Sequence, residues 1–170
     1  YLVNSHFHFD HAHGNQVFEG RASIIGHEYT RTRMLGDVLN ERTYSVIGSP
    51  EAQAARLDAL DGLIEAAPDD FMREFLTTQR DTMPRHLEAL KEVIPTPPDV
   101  TFTDRMTIQG TREIQLLHLG RGHTGGDVVV YLPDENIIFT GDLLYPSAPY
   151  LGDAYAEEFV DTLERIKELD

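Results

Sequence analysis

Four residues near the start of the chain carry its most specific chemistry. His6, His8, Asp10 and His11 follow one another in the order His-x-His-x-Asp-His, directly after the apolar residues Tyr1, Leu2 and Val3. Imidazole nitrogens and carboxylate oxygens are natural donors to zinc and related divalent metals. If residues 1–5 form a strand, its period of two sends His6 and His8 to one side. Asp10 and His11 then fall where the chain turns and aim at a second point nearby. One loop of this kind can serve two metal ions. A histidine-rich surface loop is the plainer reading, but four ligand-type residues in this order are hard to reconcile with it.

Two later stretches hold further candidates. Residues 120–125 read Gly-Arg-Gly-His-Thr-Gly and fit G-x-G-x-x-G. A dinucleotide loop needs a helix after that pattern. Here 127–132 read Asp-Val-Val-Val-Tyr-Leu, a strand sequence. The glycines therefore predict a tight turn that presents His123. Asp142 follows an apolar run at 137–140 and Gly141. It either caps the next segment or reaches the metals. Asp127 reads equally as a carboxylate that orients a ligand histidine from behind or as a turn carboxylate. His13, His27, His86 and His118 are left out of the site, as structural or solvated residues.

The first stretch, together with Gly122-His123-Thr124-Gly125-Gly126-Asp127 and Phe139-Thr140-Gly141-Asp142, resembles the signature of the metallo-β-lactamase-fold hydrolases. The resemblance covers nearly the whole chain and is weakest in its middle third. Gly152-Asp153 before the last helix looks like the branch of SoxH-type and glyoxalase-II-like hydrolases. The resemblance implies an α/β (α+β) fold, the αββα sandwich of that family. It implies that His6, His8 and His123 hold a first metal, that Asp10 and His11 hold a second, and that Asp142 bridges them. Two zinc ions are the expected cofactors, with iron or manganese as alternatives. The family usually adds one more histidine to the second site and a β-rich segment before the first motif. No histidine follows Asp142 here. The expectation is a partial chain, incomplete at both ends, or a variant with an incomplete second site.

The expected activity is metal-dependent hydrolysis of a thioester, lactone or other ester-type carbonyl, by a water whose pKa the metal lowers towards about 7. Asp10 is the catalytic candidate, orienting that water and carrying a proton to the leaving group. β-Lactams fit the resemblance less well. A mono-iron persulfide dioxygenase using His6, His123 and Asp142 is one rival, and a non-catalytic metal-binding domain is another. Iron–flavin electron transfer is disfavoured because His8 is a histidine where such relatives tend to carry Glu. No G-x-S-x-G elbow offers a serine nucleophile.

Elements that must position these residues follow from periodicity. Residues 22–25 read as a buried strand, 27–35 as a helix and 36–48 as a loop. Ser49 suits an N-cap with Pro50 in the first turn, and Leu57, Leu60, Leu63 and Ile64 recur at helical spacing. Pro68 ends that helix. Phe71, Phe75 and Leu76 predict a second, and Leu87, Leu90 and Ile94 a third or a continuation, with Pro84 starting or kinking a helix. Strands are predicted at 100–102, 106–108, 113–119, 127–132 and 137–140, with a turn at 133–136, and a final helix at about 157–169. The chain reads as one domain over 1–170 with a helical insert at about 49–95. Its apolar stripes are packing faces, or the insert is a lid. The insert and the 145–150 loop are the segments expected to shape a substrate pocket.

Composition narrows the partners. The formal charge of -15, from 29 acidic and 14 basic residues, opposes nucleic-acid binding, which needs clustered cations. No apolar run approaches the roughly 20 residues of a membrane span. A small-molecule substrate is expected, and a homodimer is allowed. Cysteine is absent, which excludes disulfides, a thiol nucleophile and thiolate-bound zinc. A cytoplasmic and a periplasmic location stay equally open.

Overall fold

Two short apolar runs, β1 (Leu2–Val3) and β2 (Ile24–His27), lie parallel, with Leu2 opposite Ile24 and Val3 opposite Ile25. Parallel neighbours need a crossover, and this one carries the ligand loop and a single helical turn, α1 (Phe9–Ala12). The computed structural model describes residues 1–169. From β2 the chain enters α2 (Glu28–Leu35), whose first turn is capped by His27: its Nδ1 accepts the Tyr29 N–H at 3.0 Å. The third parallel strand, β3 (Val100–Phe102), pairs with β2 and completes the order β1-β2-β3.

The second sheet is an antiparallel meander of β4 (Arg105–Gln109), β5 (Glu113–Leu117), β6 (Val129–Leu132) and β7 (Ile137–Phe139). Alternation decides its layering. Leu116, Val128 and Val130 point towards Val3, Ile25 and Phe102, forming the core between the two sheets. Their neighbours Leu117, Val129 and Tyr131 point the other way. There they meet Phe159 and Ile166 of α5 (Ala156–Lys167), with Leu143 beside them. The turn into β7 places Asn136 at φ 51°, a left-handed conformation that Asn tolerates better than most residues. Residues 1–38 and 95 onward form one compact unit built on these sheets.

Leu39–Ile94 form a second compact unit. It contains α3 (Pro50–Glu65) and α4 (Asp70–Leu90), packed through Leu60, Leu76 and Met83. Ser49 caps α3 as its residue type predicts, its Oγ accepting the Ala52 N–H at 3.2 Å, and Asp69 caps α4 through the Met72 N–H at 2.8 Å. α4 runs unbroken through Pro84. Met83 and Leu87 pack against α3 on either side of that residue, which offsets the one lost hydrogen bond. Phe71 and Phe75, which suggest a packing face, are exposed instead, and the segment read as a loop at 36–48 contains a π-helical turn, Tyr44–Gly48. His86 lies exposed on α4. Among the described residues no helix is long and apolar enough to cross a membrane.

Leu116 is fully buried between the sheets. Leu116→Ala is expected to cost about 2–5 kcal/mol, measured by urea unfolding. Val160→Ala on the solvent face of α5 should stay within about 0.5 kcal/mol.

Candidate metal centre

The first strand is shorter than its sequence suggests. It ends at Val3, and after the Asn4 N–H bonds to the Ile25 carbonyl at 2.9 Å the chain bends away. Strand alternation therefore does not align His6 and His8. They converge because residues 4–8 bend and His8 sits at the start of α1. His6 offers Nε2 and His8 its Nδ1, 3.1 Å apart. Asp10 and His11 lie in the first turns of α1, so a helix and not an open turn aims them.

His123 arrives on the turn between β5 and β6. Two of its glycines are there for close approach: a Cβ at Gly122 would lie 2.6 Å from Leu143, and one at Gly125 2.7 Å from Tyr29. His123 Nε2 sits 3.0 Å from His8 Nδ1. Asp142 comes from the short helical turn Gly141–Leu143 that follows β7. Gly141 has φ +55° and a virtual Cβ 2.8 Å from Ser5, so a larger residue would push Asp142 off the ligand loop.

Two donor sets result. His6, His8 and His123 form one, all buried; His6, His11 and Asp142 form the other, and within each set the ligand atoms lie within 4.8 Å of one another. Asp142 faces both, with one oxygen 3.3 Å from His11 Nε2 and the other 3.7 Å from His123 Nε2. Asp10 lies 3.5 Å from His11 Nε2, with its side chain 58% exposed. A tetrahedral zinc with nitrogens at 2.0–2.1 Å separates neighbouring ligand atoms by about 3.3 Å. His8 Nδ1, at 3.1 Å from His6 Nε2 and 3.0 Å from His123 Nε2, is spaced close to this.

The hydrogen-bond inventory favours a cation for the same reason. Asp153 Oδ2 lies 3.0 Å from His8 Nε2. A carboxylate only accepts, so His8 carries its proton on Nε2 and turns the Nδ1 lone pair towards His6 and His123. One lone pair accepts one N–H, so the three facing nitrogens cannot all be satisfied by one another, and a cation would satisfy them together. Ser5 Oγ lies 3.1 Å from His6 Nδ1 and 3.4 Å from His11 Nδ1. Its two lone pairs can take a proton from each ring, leaving both Nε2 atoms as donors to a metal.

Electrostatics separates the two sets. Burial, with neighbouring His11, His8 and His123, drives His6 far below the ordinary imidazole range. Burial also lowers His8, against the raising effect of Asp153, and lowers His123 with help from His8. His11 moves the other way, raised by its hydrogen bond to Asp10 and by Asp142. Burial works to raise Asp10, but the hydrogen bond and charge of His11 carry it below the usual carboxylate value.

Asp127 serves the turn. Its carboxylate accepts the Thr124 N–H at 2.9 Å and the Thr124 hydroxyl at 2.6 Å. It holds the backbone next to His123 and does not hydrogen-bond the imidazole ring. Burial pushes it up to about 6 despite these bonds. His27 and His118 stack together with ring centres 4.2 Å apart, each bonded to a carbonyl, and His13 is buried beside Phe9. Ser5 and Asp153 touch the candidate ligands, and residue-by-residue reading misses both. Ser5 adjoins the motif, and only the Gly152-Asp153 pair hinted at the other.

A family model described as the metallo-beta-lactamase superfamily matches residues 1–170. A curated relative, the "Metallo-beta-lactamase type 2" of Bacteroides fragilis, is 35% identical over 75 residues, covering 41% of this chain and 30% of that protein. The solved metallo-beta-lactamase from Pontibacter korlensis superposes with a TM-score of 0.60 at 19% identity, over 98% of this chain and 54% of that one. The B3 metallo-beta-lactamase BLEG-1 gives 0.60 at 18%, over 99% and 63%. The chain thus spans less than two thirds of the length of each of these relatives. The mixed α/β fold expected from the motifs is the one these structures share.

Asp153→Ala is expected to weaken zinc affinity by about 10–100-fold, read by competition with a chromophoric chelator; unchanged affinity would separate Asp153 from the centre. The metal-free chain should also be acid-sensitive. His6, His8 and His123 are held below the ordinary 6.5, so below that pH the unfolded chain binds more protons and stability falls. Raised Asp127 opposes this below about 6. Raised His11 adds stability that is complete below 6.5 and lost only as pH rises through its folded value. Burial lowers His13 and His27 as well, and five depressed imidazoles outweigh His11 and Asp127, so the urea midpoint should drop between about pH 7.5 and about pH 5.5; a rise would mean that the buried rings are charged in the fold.

Proposed function

The chain belongs to the metallo-beta-lactamase superfamily, and from that membership we propose that it is a metal-dependent hydrolase of thioesters, lactones or related ester-type carbonyls, in the SoxH-like and glyoxalase-II-like branch. The observation that carries this reading is the pair of donor sets that share His6 and are both faced by Asp142. A nitrogen-only set beside a mixed nitrogen and oxygen set suits two zinc ions. His6, His8 and His123 would hold one, His11 and Asp10 would hold the other, and Asp142 would serve both.

Metal bound there would supply a water of lowered pKa and a positive charge for the oxygen of the reacting carbonyl. The chain's own groups do the rest. Asp153 and Ser5 hold the rings in the tautomers that present lone pairs to the centre. Asp10 is ionised, half-exposed and next to His11, so its Oδ2 can accept a proton from the attacking water and return it to the leaving group. Tyr150 lines the centre, its ring 6.0 Å from His8 and 6.4 Å from His123. Leu144, Tyr145 and Leu151 of the same loop are exposed. That apolar segment suits an acyl chain or a lactone ring. The relatives' names favour β-lactams as the competing substrate class.

Elemental analysis of the purified protein should find zinc, and His123→Ala should lose metal and thioester or lactone hydrolysis together. Full hydrolysis by a metal-depleted His123→Ala protein would overturn the reading. Faster turnover of a cephalosporin than of either ester class would move the substrate to β-lactams.

A further inference from the structure

Two buried amides close the base of the ligand loop. Asn4 Nδ2 donates to Asn15 Oδ1 at 2.9 Å, and Asn15 Nδ2 donates to Asn4 Oδ1 at 2.8 Å. Each amide has one N–H left. That of Asn4 goes to the His11 carbonyl at 3.3 Å, and that of Asn15 to the Thr96 carbonyl at 2.8 Å. All four amide hydrogens are therefore used, in a place where Asn4 is 1% and Asn15 2% exposed. A fully satisfied buried network of this kind specifies one geometry, whereas a partly satisfied one is costly. The segment it closes runs from Asn4 to Asn15 and contains His6, His8, Asp10 and His11.

The pair does not act on the two donor sets equally. His8 is held from behind by Asp153, and His123 by the turn that Asp127 and Thr124 brace. His11 belongs to the second set alone, and it is the backbone of His11 that Asn4 grips. Asn15 reaches past the loop to Thr96, just before β3, and so ties α1 to a fixed point of the sheet unit.

We propose that the Asn4–Asn15 amide pair is a positioning device that sets His11, and through it the second donor set, for a metal ion. This rests on the two-metal reading of the centre. A purely structural pair would behave differently, lowering the stability of the fold while leaving the ratio of the two metal affinities as it was.

Cobalt(II) titration followed by visible absorption, with equilibrium dialysis, reads both sites without requiring turnover. In Asn4→Ser the second equivalent is expected to bind about tenfold or more weakly, with the first changed by less than about threefold. Asn15→Ser, which is smaller and leaves room for water, should give the same pattern if Asn4→Ser folds poorly. Equal weakening of both equivalents, or no weakening, would overturn the proposal alone. Folded wild-type protein that takes up no second equivalent would overturn the two-metal reading and this inference with it.

Discussion

Three imidazoles buried around one point are best kept as neutral bases. A charge on one would be desolvated, and a charge on a second would also face a like neighbour. His6, His8 and His123 meet this constraint by sinking below the ordinary range. Much else in the sheet unit serves it. Asp153 keeps the His8 proton on the outer nitrogen, Ser5 can accept an N–H from both His6 and His11, Asp10 lies beside His11, and Asp142 faces His11 and His123. The result is a centre with a buried basic half and a more exposed, polar half where protons can be exchanged with solvent.

The two sheets act as a frame for loops. Leu116 and Val130 bind the antiparallel sheet to the parallel one, while Leu117 and Val129 bind it to α5. That double anchoring fixes the ends of β5 and β6, and the turn carrying His123 spans those ends. The glycines in this turn, and Gly141 beside Ser5, allow separate chain segments to approach closer than side chains would permit. Distant ligands are thus delivered by backbone proximity.

The candidate donors were legible in the sequence because they reside in residue type, four in one stretch and then His123 and Asp142 at strand ends, and the fold gathers His6, His8, His11, His123 and Asp142 into the two sets. The strand that carries Leu116 and Leu117, and the Ser49 cap, were legible for the same reason, since each is a local rule. What was not legible depends on tertiary contact. β1 stops at Val3 because the chain must leave the sheet to form the ligand loop, and no residue between Val3 and His6 announces it. Asp153 looks like any carboxylate ahead of a helix until His8, 145 residues away, is seen beside it. Pro84 reads as the start of a helix or a kink in one, and only the packing of Met83 and Leu87 shows why α4 continues through it.

The points where the chain leaves and re-enters the sheet unit bear on how freely this protein can vary. Val38, the last residue before the helical unit, is buried with Phe7 and Ala12 of the ligand loop. Thr96, two residues after that unit ends, receives the Asn15 amide. Both junctions are therefore moored to the ligand loop itself. A change at either junction, Val38 or Thr96, reaches the stretch that carries the candidate ligands.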